Sequence, residues 1–201
     1  MKFQEMTKEQ LQVARMELSQ DYENVKAKGL KLDMSRGKPG ADQLNISMPI
    51  LNEVNSDSSM KASDGTDCRN YGLLDGIPEF KALYAELLDV SLDNIVVFGN
   101  SSLCIMYDYI SQCMTHGAGS TPWMLQGNIK FACPVPGYDR HFSILEHFGI
   151  EMVNVPMLAD GPDMGILEKL VKDSSVKGFF CVPKYSNPEG KTFSDEVVRR
   201  I

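Results

Sequence analysis

The sequence predicts an α/β fold in which a parallel sheet carries helices on its faces. Three observations lead there. Apolar runs of strand length recur at 95–98, 129–133, 151–158 and 176–182, and segments of helical period separate them. Each of three runs also gives way to turn-forming or small residues, at 99–102, 134–138 and 185–190. Strands joined through helices need long crossovers, which favour parallel pairing.

The elements follow in order. Thr7 with Gln10 three residues on forms a capping box, and Leu11, Ala14, Leu18, Tyr22 and Val25 continue at helical spacing until Gly29. Residues 30–55, broken by Gly37, Pro39, Gly40 and Pro49, read as an irregular but ordered connector anchored by Leu32, Met34, Leu44 and Ile46. A helix is expected from Pro78 to about Asp89. Ile95-Val96-Val97-Phe98 has the β-branching of a buried strand. Helices are then expected at about 101–113, 138–148 and 163–171, alternating with strands at 129–133, 151–158 and 176–182. Ser194 caps a last helix that reaches Ile201 with no C-cap glycine, so the sequence is expected to be cut within a folding unit.

Composition narrows the class. The 201 residues carry 20 Lys+Arg against 27 Asp+Glu, a net charge of −7, with 43% hydrophobic positions. That is enough apolar content for one large domain or two small ones, and it excludes a disordered acidic tail or a disulfide scaffold. No basic run offers a footprint for nucleic acid or an anionic membrane. The first ten residues lack a signal-peptide core, and no apolar stretch approaches the ~20 residues of a membrane span, so the expected location is cytoplasmic. The five cysteines are odd in number and form no C-x-x-C, which leaves reduced thiols as the simplest expectation.

In an open parallel sheet, ligands collect beyond the carboxyl ends of the strands. Gly99-Asn100-Ser101-Ser102 stands where a strand becomes a helix, and its N–H groups and hydroxyls suit a phosphate as well as a plain N-cap. At Pro134-Val135-Pro136-Gly137-Tyr138, Tyr138 can cover a flat ring and His141 is one helical turn on; core packing of Tyr138 and a solvated His141 are the alternative. In Tyr185-Ser186-Asn187-Pro188-Glu189-Gly190 the Asn187 amide can donate to a ligand oxygen, or the segment is simply a turn. Other chemistries fit poorly. Neither G-x-G-x-x-G nor a Walker loop occurs, Leu103 replaces the last glycine of a nucleophile elbow at Ser101, and His141 and His147 are too far apart for a zinc pair on one helix face.

These segments, together with Ser35-Arg36-Gly37-Lys38-Pro39-Gly40, Asn70-Tyr71-Gly72-Leu73-Leu74-Asp75-Gly76 and Met106-Tyr107-Asp108, resemble class I/II aminotransferases of the fold-type I pyridoxal-phosphate enzymes. The resemblance runs from about residue 32 to the last residue and is closest to the aspartate-aminotransferase-like group described alongside MocR-type aminotransferase domains. It implies that residues 46–201 form a partial α-β-α large domain, incomplete at the C-terminus, and that residues 1–45 are a helix and connector associated with the small domain. It also implies that Asn100, Ser101 and Ser102 bind the phosphate of pyridoxal 5'-phosphate, Tyr138 stacks on its ring, and His141 supports the carboxylate at the ring nitrogen. Asn187, in N-P-x-G, would bond the phenolic oxygen. Tyr71, in Y-x-x-x-x-G, would reach the phosphate of a neighbouring subunit, making the enzyme a homodimer with a shared site, and Gly37 would line the substrate carboxylate.

By the same resemblance the Schiff-base lysine, the ring-nitrogen carboxylate and the substrate arginine belong after N-P-x-G, beyond Ile201. Lys184, on the wrong side of Asn187, is no substitute. The implied reaction moves an amino group between an amino acid, aspartate by family analogy, and a 2-oxo acid, and the 201 residues alone are expected to be inactive. The alternatives are a non-catalytic binding or regulatory module on the same fold, for which residues 1–30 lack a helix-turn-helix, and a serine hydrolase.

Overall fold

The computed structural model describes residues 2–32 and 37–201. The chain forms two compact units, Met1–Met60 and Lys61–Ile201, so the division between units falls after Met60.

In the first unit α1 (Lys8–Ala27) opens with the capping box its sequence predicts. The Gln10 N–H donates to Thr7 Oγ1 at 3.3 Å and the Thr7 N–H to Gln10 Oε1 at 2.9 Å. None of its residues is buried, and Leu11, Leu18, Tyr22 and Val25 form an exposed apolar stripe. Residues 30–55 correct the expectation of an irregular connector, because they contain α2 (Ala41–Ser47) and a 3-10 turn, Met48–Asn52. Gly40 and Pro49 start these helices instead of interrupting the chain. The Gly40 N–H donates to Gln43 Oε1 at 2.8 Å, and Pro49 occupies a first turn, where its missing N–H forfeits no helical bond. Leu32, Leu44 and Ile46, expected as apolar anchors, are exposed, while Met34, Ser35 and Arg36 lie outside the described residues.

The second unit begins its regular structure with α3 (Pro78–Leu88), which Pro78 opens and Asp89 closes in a left-handed conformation at φ 53°. The run 95–98 departs from the expected buried strand. Ile95 is buried, but Val96 and Phe98 are exposed, and no strand lies beside the run among the described residues. Its Val97 N–H instead donates to the Asp75 carbonyl at 2.9 Å. Apolar β-branched residues supply a strand's side chains, but the ladder needs a partner backbone.

The remaining elements alternate as expected: α4 (Ser102–Thr115), β1 (Lys130–Val135), α5 (Asp139–His147), β2 (Glu151–Leu158), α6 (Met164–Leu170), β4 (Val176–Phe179) and α7 (Asp195–Arg200). One addition is β3, the pair Gly161–Pro162, which runs antiparallel to β2 and makes the sheet mixed. The order is β3-β2-β1-β4, with β1 parallel to both neighbours. β4 ends at Phe179, short of the predicted Val182, where its register with β1, slipped between Lys130 and Phe131, stops at Ala132↔Phe179.

Alternation along β1 builds two cores. Phe131 and Cys133 join Ile110, Cys113, Ile144 and Leu145 from α4 and α5. Ala132 joins Val155, Met164, Leu167, Phe193 and Val197, which brings α6 and α7 to the other face. Each large side chain removed from water here contributes about 1.5–3 kcal/mol, so these two cores hold the strand ends in place. The start of β1 is also tied to the turn before β4: the Lys130 N–H donates to the Ser175 carbonyl at 2.8 Å, and Lys130 Nζ pairs with Asp173 at 3.1 Å.

Candidate functional site

A narrow cleft opens beyond the carboxyl ends of β1 and β4. Pro134, Pro136, Gly137 and Tyr138 line it from the β1 side, Phe180, Cys181 and Val182 from the β4 side, and Ser186 and Asn187 from the loop after β4. His141, Phe142, Met157 and Phe193 complete its walls. Among the described residues no Asp, Glu, Lys or Arg lines it, so at neutral pH the cleft is apolar and uncharged with a few polar tips.

Backbone constraints shape both rims. At Gly137 a Cβ atom would lie 2.3 Å from the Pro134 carbonyl oxygen and 2.7 Å from the Phe142 ring, so only glycine lets the chain turn this tightly from β1 into α5. Tyr138 then takes the N-cap position of α5, and the His141 N–H donates to its carbonyl at 3.1 Å. The spacing of three puts the two side chains on the same face of the first turn. The opposite rim is a closed loop. The Phe193 N–H donates to the Pro183 carbonyl at 2.8 Å, the Ser186 N–H to the Lys191 carbonyl at 2.8 Å, and the Tyr185 N–H to Thr192 Oγ1 at 3.3 Å. An ion pair between Lys191 and Glu189 at 2.9 Å spans the tip, and Tyr185 sits at φ 51°, a conformation uncommon for a bulky residue.

Of the residues singled out from sequence, the structure brings Tyr138, His141 and Asn187 to this one cleft. Tyr138 is half-buried and His141 buried at 8% exposure, so His141 is not a solvated surface residue. Burial in this apolar wall lowers the His141 pKa by disfavouring the charged imidazolium, and burial also pushes the Cys181 thiol up.

The phosphate-site candidates stand elsewhere. Asn100 lines a separate groove with Phe80, Tyr84, Leu88 and Phe98. Ser101 is the N-cap of α4, its Oγ accepting from the Cys104 N–H at 3.4 Å, and Ser102 is the first residue of that helix. Tyr71 is 98% exposed. Gly37 belongs to the first unit, in an exposed stretch ahead of α2. Sequence reasoning missed Phe180 and Cys181 as cleft residues. Their signal was present in the apolar run after β4, where a lining role follows once the run is known to end at a ligand-collecting edge.

Comparison with known proteins supplies the family. Residues 6–201 match the family described as aspartate amino-transferase. An aspartate aminotransferase of Corynebacterium glutamicum is 43% identical over 200 residues, covering 98% of this chain and 46% of that protein. A crystal structure of an aspartate transaminase from the same species superposes with a TM-score of 0.84 at 44% identity, over 98% of this chain and 47% of the other. An α-aminoadipate aminotransferase of Thermus thermophilus, solved with N-(5'-phosphopyridoxyl)-L-leucine, shares the fold alone at 16% identity and a TM-score of 0.53, over 78% of this chain and 35% of its own. The chain thus spans about half the length of these two Corynebacterium glutamicum relatives. With nearly its whole length inside the family match and its fold superposing on a solved relative, this chain belongs to the aspartate amino-transferase family.

Proposed function

We propose that the chain is the N-terminal half of a pyridoxal-phosphate-dependent aminotransferase, which moves an amino group between an amino acid, aspartate by family membership, and a 2-oxo acid. The observation that carries this reading is the meeting of Tyr138, His141 and Asn187 at one uncharged cleft beyond β1 and β4. The lining of the cleft matches a flat heterocycle in kind, with an aromatic side chain for its face, apolar walls from Pro134, Val182 and Met157 and an amide for a ring hydroxyl, but its free volume of about 10 Å³ holds no more than a water, so the walls would have to part to admit a ring. When bound, pyridoxal 5'-phosphate supplies an electron sink for the amino acid's α-carbon.

The chain's own residues would bind and orient the cofactor. Tyr138 would cover the ring face, and the Asn187 amide would donate to the phenolic oxygen and favour its charged form. His141, whose burial favours the neutral imidazole, would orient the carboxylate that holds the ring nitrogen protonated. Asn100 and the N-terminus of α4 at Ser101 and Ser102 offer N–H groups and hydroxyls at the positive end of a helix dipole, which suits a phosphate; they stand apart from the cleft, so one cofactor would reach both only if the two segments close on it. Tyr71, projecting fully into solvent, suits a reach into a second subunit's site in a homodimer. Gly37 would line the substrate carboxylate in the whole enzyme, by the family resemblance. Residues 1–45 associate with the small domain and residues 46–201 with the large one, and the Schiff-base lysine comes from sequence after residue 201.

The test is made on the protein joined to the following half of its family's length. Asn187→Ala is expected to move the visible absorption of the bound cofactor and its pH dependence more than it weakens cofactor retention. Aspartate with 2-oxoglutarate is expected to yield glutamate, and a joined protein that holds the cofactor yet turns over no amino donor contradicts the enzymatic reading.

A further inference from the structure

The rings around the cleft form a continuous series that starts in the core. Phe131, on β1, is buried, and its ring lies directly over Gly178 of β4, where a Cβ atom would come within 2.4 Å of Phe131 Cζ and 2.6 Å of Cε2. The Phe131 ring meets Phe180 at a centroid distance of 4.7 Å, tilted 53°. Phe180 meets the His141 imidazole at 5.7 Å and 59°, and His141 meets Tyr138 edge to face at 5.1 Å and 87°. These separations lie in the range where aromatic pairs choose a defined relative pose, each pair worth about 0.5–1.5 kcal/mol beyond its buried area.

His141 depends on this series more than its neighbours do. Among the described residues its imidazole is held by the two ring contacts and by no side-chain hydrogen bond. One side is Tyr138, on the same helical turn; the other is Phe180, which comes from the far side of the cleft and is backed by the core. Remove the Phe180 ring and the imidazole loses the wall that fixes its plane, while Tyr138 loses the edge it rests on.

We propose that Phe180 is a positioning residue: its ring fixes the plane of the His141 imidazole and, through it, the pose of Tyr138 over the cleft. The proposal deepens the cofactor reading and rests on it for its functional meaning, but the pose itself exists without a ligand and is measured without one. Gly178 takes part by letting the Phe131 ring lie flat enough on β4 to support Phe180.

The chain holds only three histidines, His116, His141 and His147, so imidazole resonances can be assigned directly by NMR. The wild-type chain is expected to give cross-peaks from His141 ring protons to both Tyr138 and Phe180, and the absence of the His141–Phe180 cross-peak in the folded chain overturns the proposal whatever any variant does. Phe180→Leu keeps apolar volume without a ring, and the expected result is loss of the His141–Tyr138 cross-peak with the remaining core shifts in place. Phe180→Tyr is expected to restore it. An unchanged His141–Tyr138 cross-peak in folded Phe180→Leu overturns the proposal, as does failure of Phe180→Tyr to restore a lost one. Failure of the cofactor reading shows separately, as a wild-type chain with the predicted ring contacts in which pyridoxine 5'-phosphate shifts none of these resonances.

Discussion

Tyr138 and His141 meet edge to face at the mouth of the cleft, their ring centroids 5.1 Å apart and their planes at 87°. The backbone brings the two side chains to one turn, since Tyr138 caps α5 and the His141 N–H bonds its carbonyl at 3.1 Å, and the Phe180 ring on the other side of His141 fixes the ring planes. With Phe180 backing His141, the Tyr138 ring has a defined pose at the cleft before any ligand binds. Replacing Tyr138 by Leu should weaken binding of pyridoxine 5'-phosphate by about 3- to 10-fold, the effect of losing one ring contact worth about 0.5–1.5 kcal/mol, and Phe should retain most of it. Titration calorimetry on the two variants checks this.

The core that sets the β1 strand end is expected to respond strongly to truncation. Leu145 of α5 is fully buried among Ile110, Phe131 and Ile150. Leu145→Ala leaves a cavity where α5 packs on the sheet and should destabilise the chain by about 2–5 kcal/mol in chemical denaturation. Val198→Ala, on the exposed side of α7, should change stability by less than about 0.5 kcal/mol.

Acid should loosen the link between β1 and the turn before β4. The Asp173 carboxyl is held down at about 2, first by the Ser175 hydroxyl, then by the Ser175 N–H and by Lys130. An unfolded aspartate titrates near 3.9, so the folded state binds the proton less readily, and the contribution of Asp173 is present above that value and lost as pH falls toward 2. Thermal melts between pH 5 and pH 2 should show a shallower fall in melting temperature for Asp173→Asn than for wild type. Equal slopes would show that the Lys130–Asp173–Ser175 cluster has no part in acid stability.

Thiol reactivity should divide the five cysteines by burial. Cys68 and Cys104 are exposed, while Cys113 and Cys133 are buried. Burial pushes the Cys133 thiol up to about 11, which leaves a thiolate fraction on the order of one thousandth at pH 8. An aromatic disulfide reagent should modify two thiols quickly, Cys181 more slowly from the cleft wall, and Cys113 and Cys133 only on unfolding. Mass mapping of the labelled sites distinguishes these classes.

Local chemistry was the legible part of this sequence. Thr7 and Gln10 lie three residues apart and satisfy each other, so their helix start needed no tertiary knowledge. Gly40 and Gln43 offered half of that signal, because the Gly40 N–H donates to Gln43 Oε1 and glycine has no side chain to accept the return bond, and Pro39 and Gly37 just before them obscured it. The runs at β1 and β2 became strands because each found the other as a parallel partner, whereas 95–98 has the same apolar character and no adjacent strand among the described residues. Pairing is a property of two segments, and one segment's composition does not encode it. At the cleft, Tyr138, His141 and Asn187 were legible because they follow strand ends. Phe180 was not, because its role depends on the ring of Phe131 lying over Gly178 across two strands.

The most direct test of the cleft as a cofactor-ring site is chemical-shift mapping with pyridoxine 5'-phosphate, whose alcohol cannot form an imine with surface lysines. The prediction is saturable shifts at Tyr138, His141 and Asn187, together with the first turn of α4. Saturable shifts confined to other parts of the chain, with these three residues unmoved, would contradict it.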